Sequence, residues 1–202
     1  MISKVAAKKE TLRNKIIELA EMKIATGGLL ALRARDLATE AGCALGSLYN
    51  MFADLDDLIL HVNARTLMAI DAQMAKAAGE TAAEQLHQLA QIYLNFARQS
   101  PLLWRALFDH HLPDDYQLPD WYAQKLLQLM SRIIAPLAAL QPTISHTELI
   151  TRSRTLFAAV HGVISISLDN RFIGIAQTDL AVELHRFVAV MLAGAAHTRN
   201  EQ

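Results

Sequence analysis

The sequence predicts an all-α protein of about nine helices. Three observations lead there. Apolar residues recur at spacings of three and four along most of the chain, no stretch alternates apolar and polar residues as a half-buried strand does, and helix-capping signatures fall at regular intervals. At 202 residues and 52% hydrophobic content, the chain is also long enough to bury a substantial core.

The elements follow in order. Leu12, Ile16, Leu19 and Ala20 form one stripe, and that helix stops at Gly27 and Gly28, where glycine suits a C-cap. A short helix over about 34 to 41 ends at Gly42, and a second short one is expected over about 44 to 51. Asp54 caps a longer helix whose first turn holds Asp56 and Asp57, carboxylates that favour the positive end of the helix dipole. Thr81 with Glu84 and Ser145 with Glu148 have capping-box spacing, and Pro101 follows Ser100 as a first helical residue. Helices are therefore expected from about 81, 101, 119 and 146. The last is expected from about 177, after the turn containing Gly174, with Leu180, Leu184, Phe187, Val188, Met191 and Ala195 on one stripe. The stretch LFAAVHGVISISL, 156 to 168, is apolar around most of the helix and needs cover on every side. We expect a homodimer built on helices near 146–172 and 177–197, with burial inside one subunit as the alternative.

Formal net charge is −1, which excludes an acidic disordered chain and a polybasic tail. The distribution is uneven, with eight basic and three acidic residues in 1–35 and five acids without a base in 36–60. Cys43 is the only cysteine, so no internal disulfide forms and a reducing cytoplasm is the expected location. No apolar run reaches the roughly 18 residues of a membrane span. There is no tandem repeat and no low-complexity tract.

Residues 33 to 52, RARDLATEAGCALGSLYNMF, have the anatomy of a helix-turn-helix. Leu37 and Ala38 face inward on the first helix, Gly42 makes the turn, and Leu48 lies on the inner side of the second. With Ala41, Ser47, Tyr49, Phe52 and Leu58 in their places, the pattern resembles the TetR-like family of bacterial transcriptional regulators. That resemblance implies a three-helix DNA-binding head, residues 1–56, and a six-helix ligand-binding and dimerisation body, residues 57–202. Two positions depart from the family pattern. Ala44 and Leu45 stand where a serine or threonine and then a polar or basic residue are usual, and Leu55 stands where a lysine is frequent. A second resemblance lies in the body, where Phe157 and His161-Gly162 are similar to the Trp and His-Gly of one branch of the family.

The resemblance implies DNA contacts from Arg33 and Arg35 on the first motif helix and from Ala44, Leu45, Gly46, Ser47, Tyr49 and Asn50 on the second. The lysines Lys4, Lys8 and Lys9 would add phosphate contacts. Tyr93, Phe96, Trp104, Phe108, Trp121 and Tyr122, joined by His111, Phe157 and His161, form a candidate lining for an apolar ligand pocket, against the alternative that most are ordinary core. The expected function is a ligand-responsive, homodimeric DNA-binding regulator, a repressor acting on a near-palindromic operator, with an unidentified small-molecule effector and no cofactor or catalysis.

Other readings compete. Glu84 and His87 have the helical spacing of a metal pair, and His110, His111, Asp114 and Asp115 crowd one loop. Together they would make a helical-bundle metalloenzyme, whereas a capping glutamate and a solvated loop explain the same residues. Cys43 is read either as packing in the motif turn or as a redox sensor. A helical interaction module without DNA binding is the third possibility.

Overall fold

The computed structural model describes residues 4–113, 115–169 and 173–197, with the side chains of 4, 5 and 195–197 excluded. Among the described residues there are nine α-helices and no strand. They are α1 (Lys4–Gly27), α2 (Ala34–Ala41), α3 (Leu45–Tyr49), α4 (Leu55–Met74), α5 (Ala82–Gln99), α6 (Pro101–Asp109), α7 (Asp120–Leu140), α8 (His146–Leu168) and α9 (Leu180–His197). One 3-10 turn, Leu29–Ala31, joins α1 to α2 and has no signature in the sequence.

Local chemistry explains the boundaries. Gly28 sits at φ 70 and ψ −173, a region open to glycine and strained for other residues, so α1 ends there with the Gly28 amide donating to the Ile24 carbonyl at 2.9 Å. Asp54 Oδ1 accepts from the Asp57 amide at 2.7 Å while the Asp57 carboxylate accepts from the Ala53 amide at 3.0 Å, so both acids serve the start of α4. The Thr81–Glu84 box closes in both directions, at 3.0 and 3.2 Å. The Ser145 box closes in one, because Arg152 one turn on takes the Glu148 carboxylate at 2.5 Å. The last helix starts later than its sequence predicts. Residues 177–179 form a turn closed by the Asp179 amide on the Ala176 carbonyl at 2.9 Å, and Arg98 of α5 holds the Gln177 carbonyl at 2.6 Å. The second motif helix, α3, is also shorter than expected.

The chain divides into two compact units, residues 1–67 with 100–123, and residues 68–99 with 124–202. In the first, α1 packs on α2 and α6 around Ile16, Ile24, Leu37, Leu48, Phe52 and Leu58, all at most 1% exposed. In the second, α5 packs on α8 and α9 around Leu94, Ile164, Leu180 and Leu184, each fully buried. The apolar circumference of α8 contains two buried serines, Ser153 and Ser167. Each turns its hydroxyl back onto its own helix, at Leu149 and Val163 carbonyls 2.8 and 2.7 Å away, which satisfies a polar group in a dry setting.

A mixed cluster ties the first unit together. Arg13 of α1 donates from Nη2 to His61 Nε2 of α4 at 2.5 Å, and its guanidinium lies over the Phe52 ring at 5.1 Å. The His61 ring is parallel to the Trp121 indole at 4.4 Å and edge-on to Phe52 at 5.8 Å, with Asp57 3.6 Å away. Burial and the Arg13 charge hold the His61 imidazole below its ordinary value of 6.5, outweighing Asp57 and Glu10. A lowered value in the folded state means that this contribution is present above 6.5 and is lost as pH falls through the folded value. His61→Gln, which keeps an acceptor for Arg13 without titrating, is therefore expected to flatten the loss of stability of this unit on acidification below 6.5. Thermal melts across that range check it, and an unchanged slope in the variant removes His61 as the cause.

Candidate functional site

The helix-turn-helix is assembled from buried anchors and an exposed outer surface. Leu37 and Ala38 fix α2 against α1, at 0% and 2% exposure. Two lysines of α1 add polar ties, Lys23 to the Glu40 carboxylate at 2.6 Å and Lys15 to the Ala41 carbonyl at 3.0 Å. The second is a cation placed on the last carbonyls of α2, where the helix dipole is negative. Gly42 then adopts φ 77 and ψ 36. This left-handed residue lets the Gly42 amide reach the Thr39 carbonyl at 3.1 Å and the Cys43 amide reach the Ala38 carbonyl at 2.9 Å, a double closure of the helix end.

On α3 only Leu48 is fully buried. Leu45 and Ser47 are half-buried, while Ala44, Gly46, Tyr49 and Asn50 are exposed. Ala44 supplies the N-cap backbone with no side-chain bond, as its apolar side chain dictates. Arg33, in extended conformation at the α2 N-cap, and Arg35 in its first turn are both exposed, so two cations stand in sequence ahead of an uncharged helix. Lys8 and Lys9 are exposed on α1, and the Lys4 side chain lies outside the described residues. Gly46 needs no special backbone, and a Cβ added there meets nothing within 4 Å. Lys15 and Lys23, which position α2, carry no motif signal beyond their charge. Cys43 is half-buried and packs at the edge of the first unit's core.

The second unit contains a cavity of about 30 Å³ lined from α4 by Met74, from α5 by Leu86 and Tyr93, from α7 by Ile133, from α8 by Phe157 and from α9 by Val188. Of the aromatic set expected to line a pocket, Tyr93 and Phe157 do so. His161 stands beside them, with Nδ1 3.1 Å from the Tyr93 hydroxyl, and burial lowers its pKa from 6.5. Phe96 is buried in the same unit but is not part of the lining. The others belong to the first unit. Trp104 is buried beside Phe108 at 5.7 Å, and Trp121 stacks on His61. Tyr122 is 6% exposed with its phenol pushed up to about 12 by burial, and His111 is exposed with its Nδ1 on the Asp109 carbonyl at 2.8 Å. Helical spacing cannot assign residues to one unit or the other; it put Val188 on the apolar stripe of the last helix without marking it as pocket lining, and Met74 and Ile133 were not singled out.

Several of the alternative metal residues have other partners. Glu84 closes the cap of α5, and His87 stacks on His185 of α9 at 4.0 Å. His110 Nε2 bonds Asp56 Oδ1 at 2.9 Å, and Asp114 lies outside the described residues. Among the described residues, no three His, Cys, Asp or Glu side chains form a group able to hold a metal ion. No described helix is long and apolar enough to cross a membrane. Apolar residues are exposed on α8 and α9, including Ile166 at 38%, Val182 at 54% and Val190 at 70%. A Cβ added at Gly162 or Gly194 meets nothing within 4 Å.

Known structures share the architecture. A TetR transcriptional regulator from Rhodococcus sp. RHA1 aligns at TM-score 0.63 and 17% identity over 96% of this chain and 99% of its own. A TetR-family transcriptional regulator from Streptomyces coelicolor aligns at 0.70 and 16% over 95% and 85%. RolR, solved in complex with resorcinol, aligns at 0.67 and 18% over 98% and 97%. At these identities the likeness establishes the fold. No curated protein sequence matches the chain. The family described as "Tetracyclin repressor-like, C-terminal domain" matches residues 86–191, more than half of the chain. With that match on the body, and the helix-turn-helix before it, the chain belongs to the TetR family of transcriptional regulators.

Proposed function

We propose that this regulator is a ligand-responsive repressor that binds a near-palindromic operator as a homodimer, with residues 1–56 as the DNA-binding head and 57–202 as the effector and dimerisation body. The observation that carries the reading is the exposed, uncharged surface of α3, anchored by buried Leu48 and preceded by exposed Arg33 and Arg35. In this reading the arginines, with Lys4, Lys8 and Lys9, neutralise phosphates. Ala44, Leu45, Gly46, Ser47, Tyr49 and Asn50 meet the groove, where the Asn50 amide suits adenine and Leu45 suits a thymine methyl group. The effector enters the Tyr93–Phe157 cavity, and α4, which carries Met74 at that cavity and Leu58 in the first unit's core, transmits the change to the heads. The resorcinol bound by RolR supports a small-molecule effector in this fold. The exposed apolar residues of α8 and α9 support a dimer face there, where the bare surfaces of Gly162 and Gly194 allow close approach.

Three outcomes test this. Selection of genomic fragments at low and moderate salt is expected to enrich a palindrome, and Arg35→Ala with Tyr49→Ala to abolish its gel shift while the dimer persists; retained binding sinks the interface. Gly46→Ala is expected to raise stability by up to about 1 kcal/mol, since alanine suits a helix better than glycine, yet to weaken operator binding by filling the surface that meets DNA. A melt and a shift assay read both, and unchanged affinity takes Gly46 out of the contact. Ile166→Glu with Val190→Glu, at positions exposed in the subunit, is expected to give folded monomers by light scattering; a surviving dimer moves the interface elsewhere.

A further inference from the structure

We propose that His61 is an acid-sensitive latch on the helix-turn-helix, whose neutral imidazole holds Arg13 over Phe52 at the end of α3 and whose protonated form turns to Asp57, frees Arg13 and weakens operator binding. The inference rests on the operator-binding reading above and adds pH as a second input to it.

The donors fix the neutral state. A guanidinium has only N–H groups to offer and stays charged in a protein, so the 2.5 Å bond from Arg13 Nη2 requires a lone pair on His61 Nε2 and a proton on Nδ1. Protonating Nε2 sets two donors and two positive charges against each other, and the bond is lost. A replacement lies close by. Asp57 Oδ1 is 3.6 Å from the same nitrogen, while the other oxygen of that carboxylate accepts from the Ala53 amide at 3.0 Å. The imidazolium therefore takes Oδ1 without releasing the start of α4.

The other groups around the ring leave that choice in place. Burial opposes protonation most, the Arg13 charge opposes it from α1, and Asp57 of α4 and Glu10 of α1 favour it. Asp56 on the same helix is taken by His110 at 2.9 Å, and Arg65, one turn further along α4, by Glu21 of α1 at 2.8 Å. The Trp121 indole of α7 and the Phe52 ring carry no charge. His61 is thus neutral near pH 7 and gains its proton on acidification below 6.5.

Phe52 carries the change to the motif. Its ring is 1% exposed, with the Arg13 guanidinium 5.1 Å from its centroid and the His61 ring edge-on at 5.8 Å. Its amide donates to the Leu48 carbonyl at 3.0 Å and so closes the end of α3. Freeing Arg13 takes the cation off the ring and draws the guanidinium towards water, so the residue that ends α3 loses its cover. The recognition helix, whose fully buried anchor is Leu48, shifts with it.

The test pairs two measurements on the full chain. Affinity for the selected DNA fragment is read at about pH 7.5 and about pH 5.5, either side of an ordinary histidine, with circular dichroism reporting whether the chain is folded at both. Acidification is expected to weaken wild-type binding at least about fivefold more than that of His61→Gln, which accepts from Arg13 without titrating; about fivefold is the low end of coupling between two sites. Proton magnetic resonance follows the His61 ring, identified by its loss in that variant. Arg13→Met is expected to raise its titration midpoint, since the Arg13 charge lowers it. Equal acid losses in wild type and His61→Gln, a loss seen only where the chain unfolds, or a midpoint unmoved by Arg13→Met overturns the latch. A chain that selects DNA but shows equal acid losses keeps the regulator and overturns the latch; one whose His61 midpoint moves as expected but selects no DNA keeps the latch chemistry and overturns the regulator.

Discussion

The left-handed backbone at Gly42 is the constraint on which the first unit's geometry rests. With φ at 77, two amides turn back onto the end of α2, and the chain leaves in the direction that brings Leu48 beneath α3 into the same core as Leu37. A side chain with a Cβ resists that conformation. Space is not the obstacle, since a Cβ at Gly42 meets no atom within 4 Å. The requirement is purely conformational, and the exposed edge of α3 is a downstream product of one torsion angle.

The second unit is organised differently. Many of its hydrogen bonds close inside single helices or between α5 and the turn before α9, as with the serines of α8 and the Arg98 bond to Gln177. Gln91 adds a bond to the Ala181 carbonyl at 2.8 Å. Bonds that close so locally leave the cavity of this unit lined by apolar side chains apart from Tyr93. That is why Tyr93 and His161, bonded to each other, stand out there. Asp71 and Arg132 hold α4 to α7 with a paired contact at 2.8 and 3.2 Å, and that bond keeps the Asp71 carboxyl below its usual range.

What could be read from the sequence follows the range of the interaction. Gly28, Gly42, Asp54, Thr81 and Ser145 act within four residues of themselves, so their spacing revealed helix ends to within a residue or two. The start of α9 escaped because Arg98, nearly eighty positions earlier, stabilises the turn that delays it. The helix-turn-helix was legible for the same local reason, and its exposed and buried positions fall as the pattern implies. The pocket was legible only in part. Tyr93 and Trp104 are both buried aromatics on amphipathic helices, yet they belong to different compact units, and periodicity reports which face is buried without reporting against what. His61 gave no signal at all, since Arg13 and Trp121 meet it from segments 48 and 60 residues away and Phe52 from the turn before α4.

The brevity of α3 has a consequence for how the head can change over time. Five residues are too few to hold a helix in water unaided, so α3 takes its order from Leu48 and the core beneath it. Folding thus constrains chiefly Leu48, with Leu45 packed against the same core and the glycine before them. The outward positions touch the interior little, so a lineage can sample new surface chemistries there without first acquiring compensating mutations in the core.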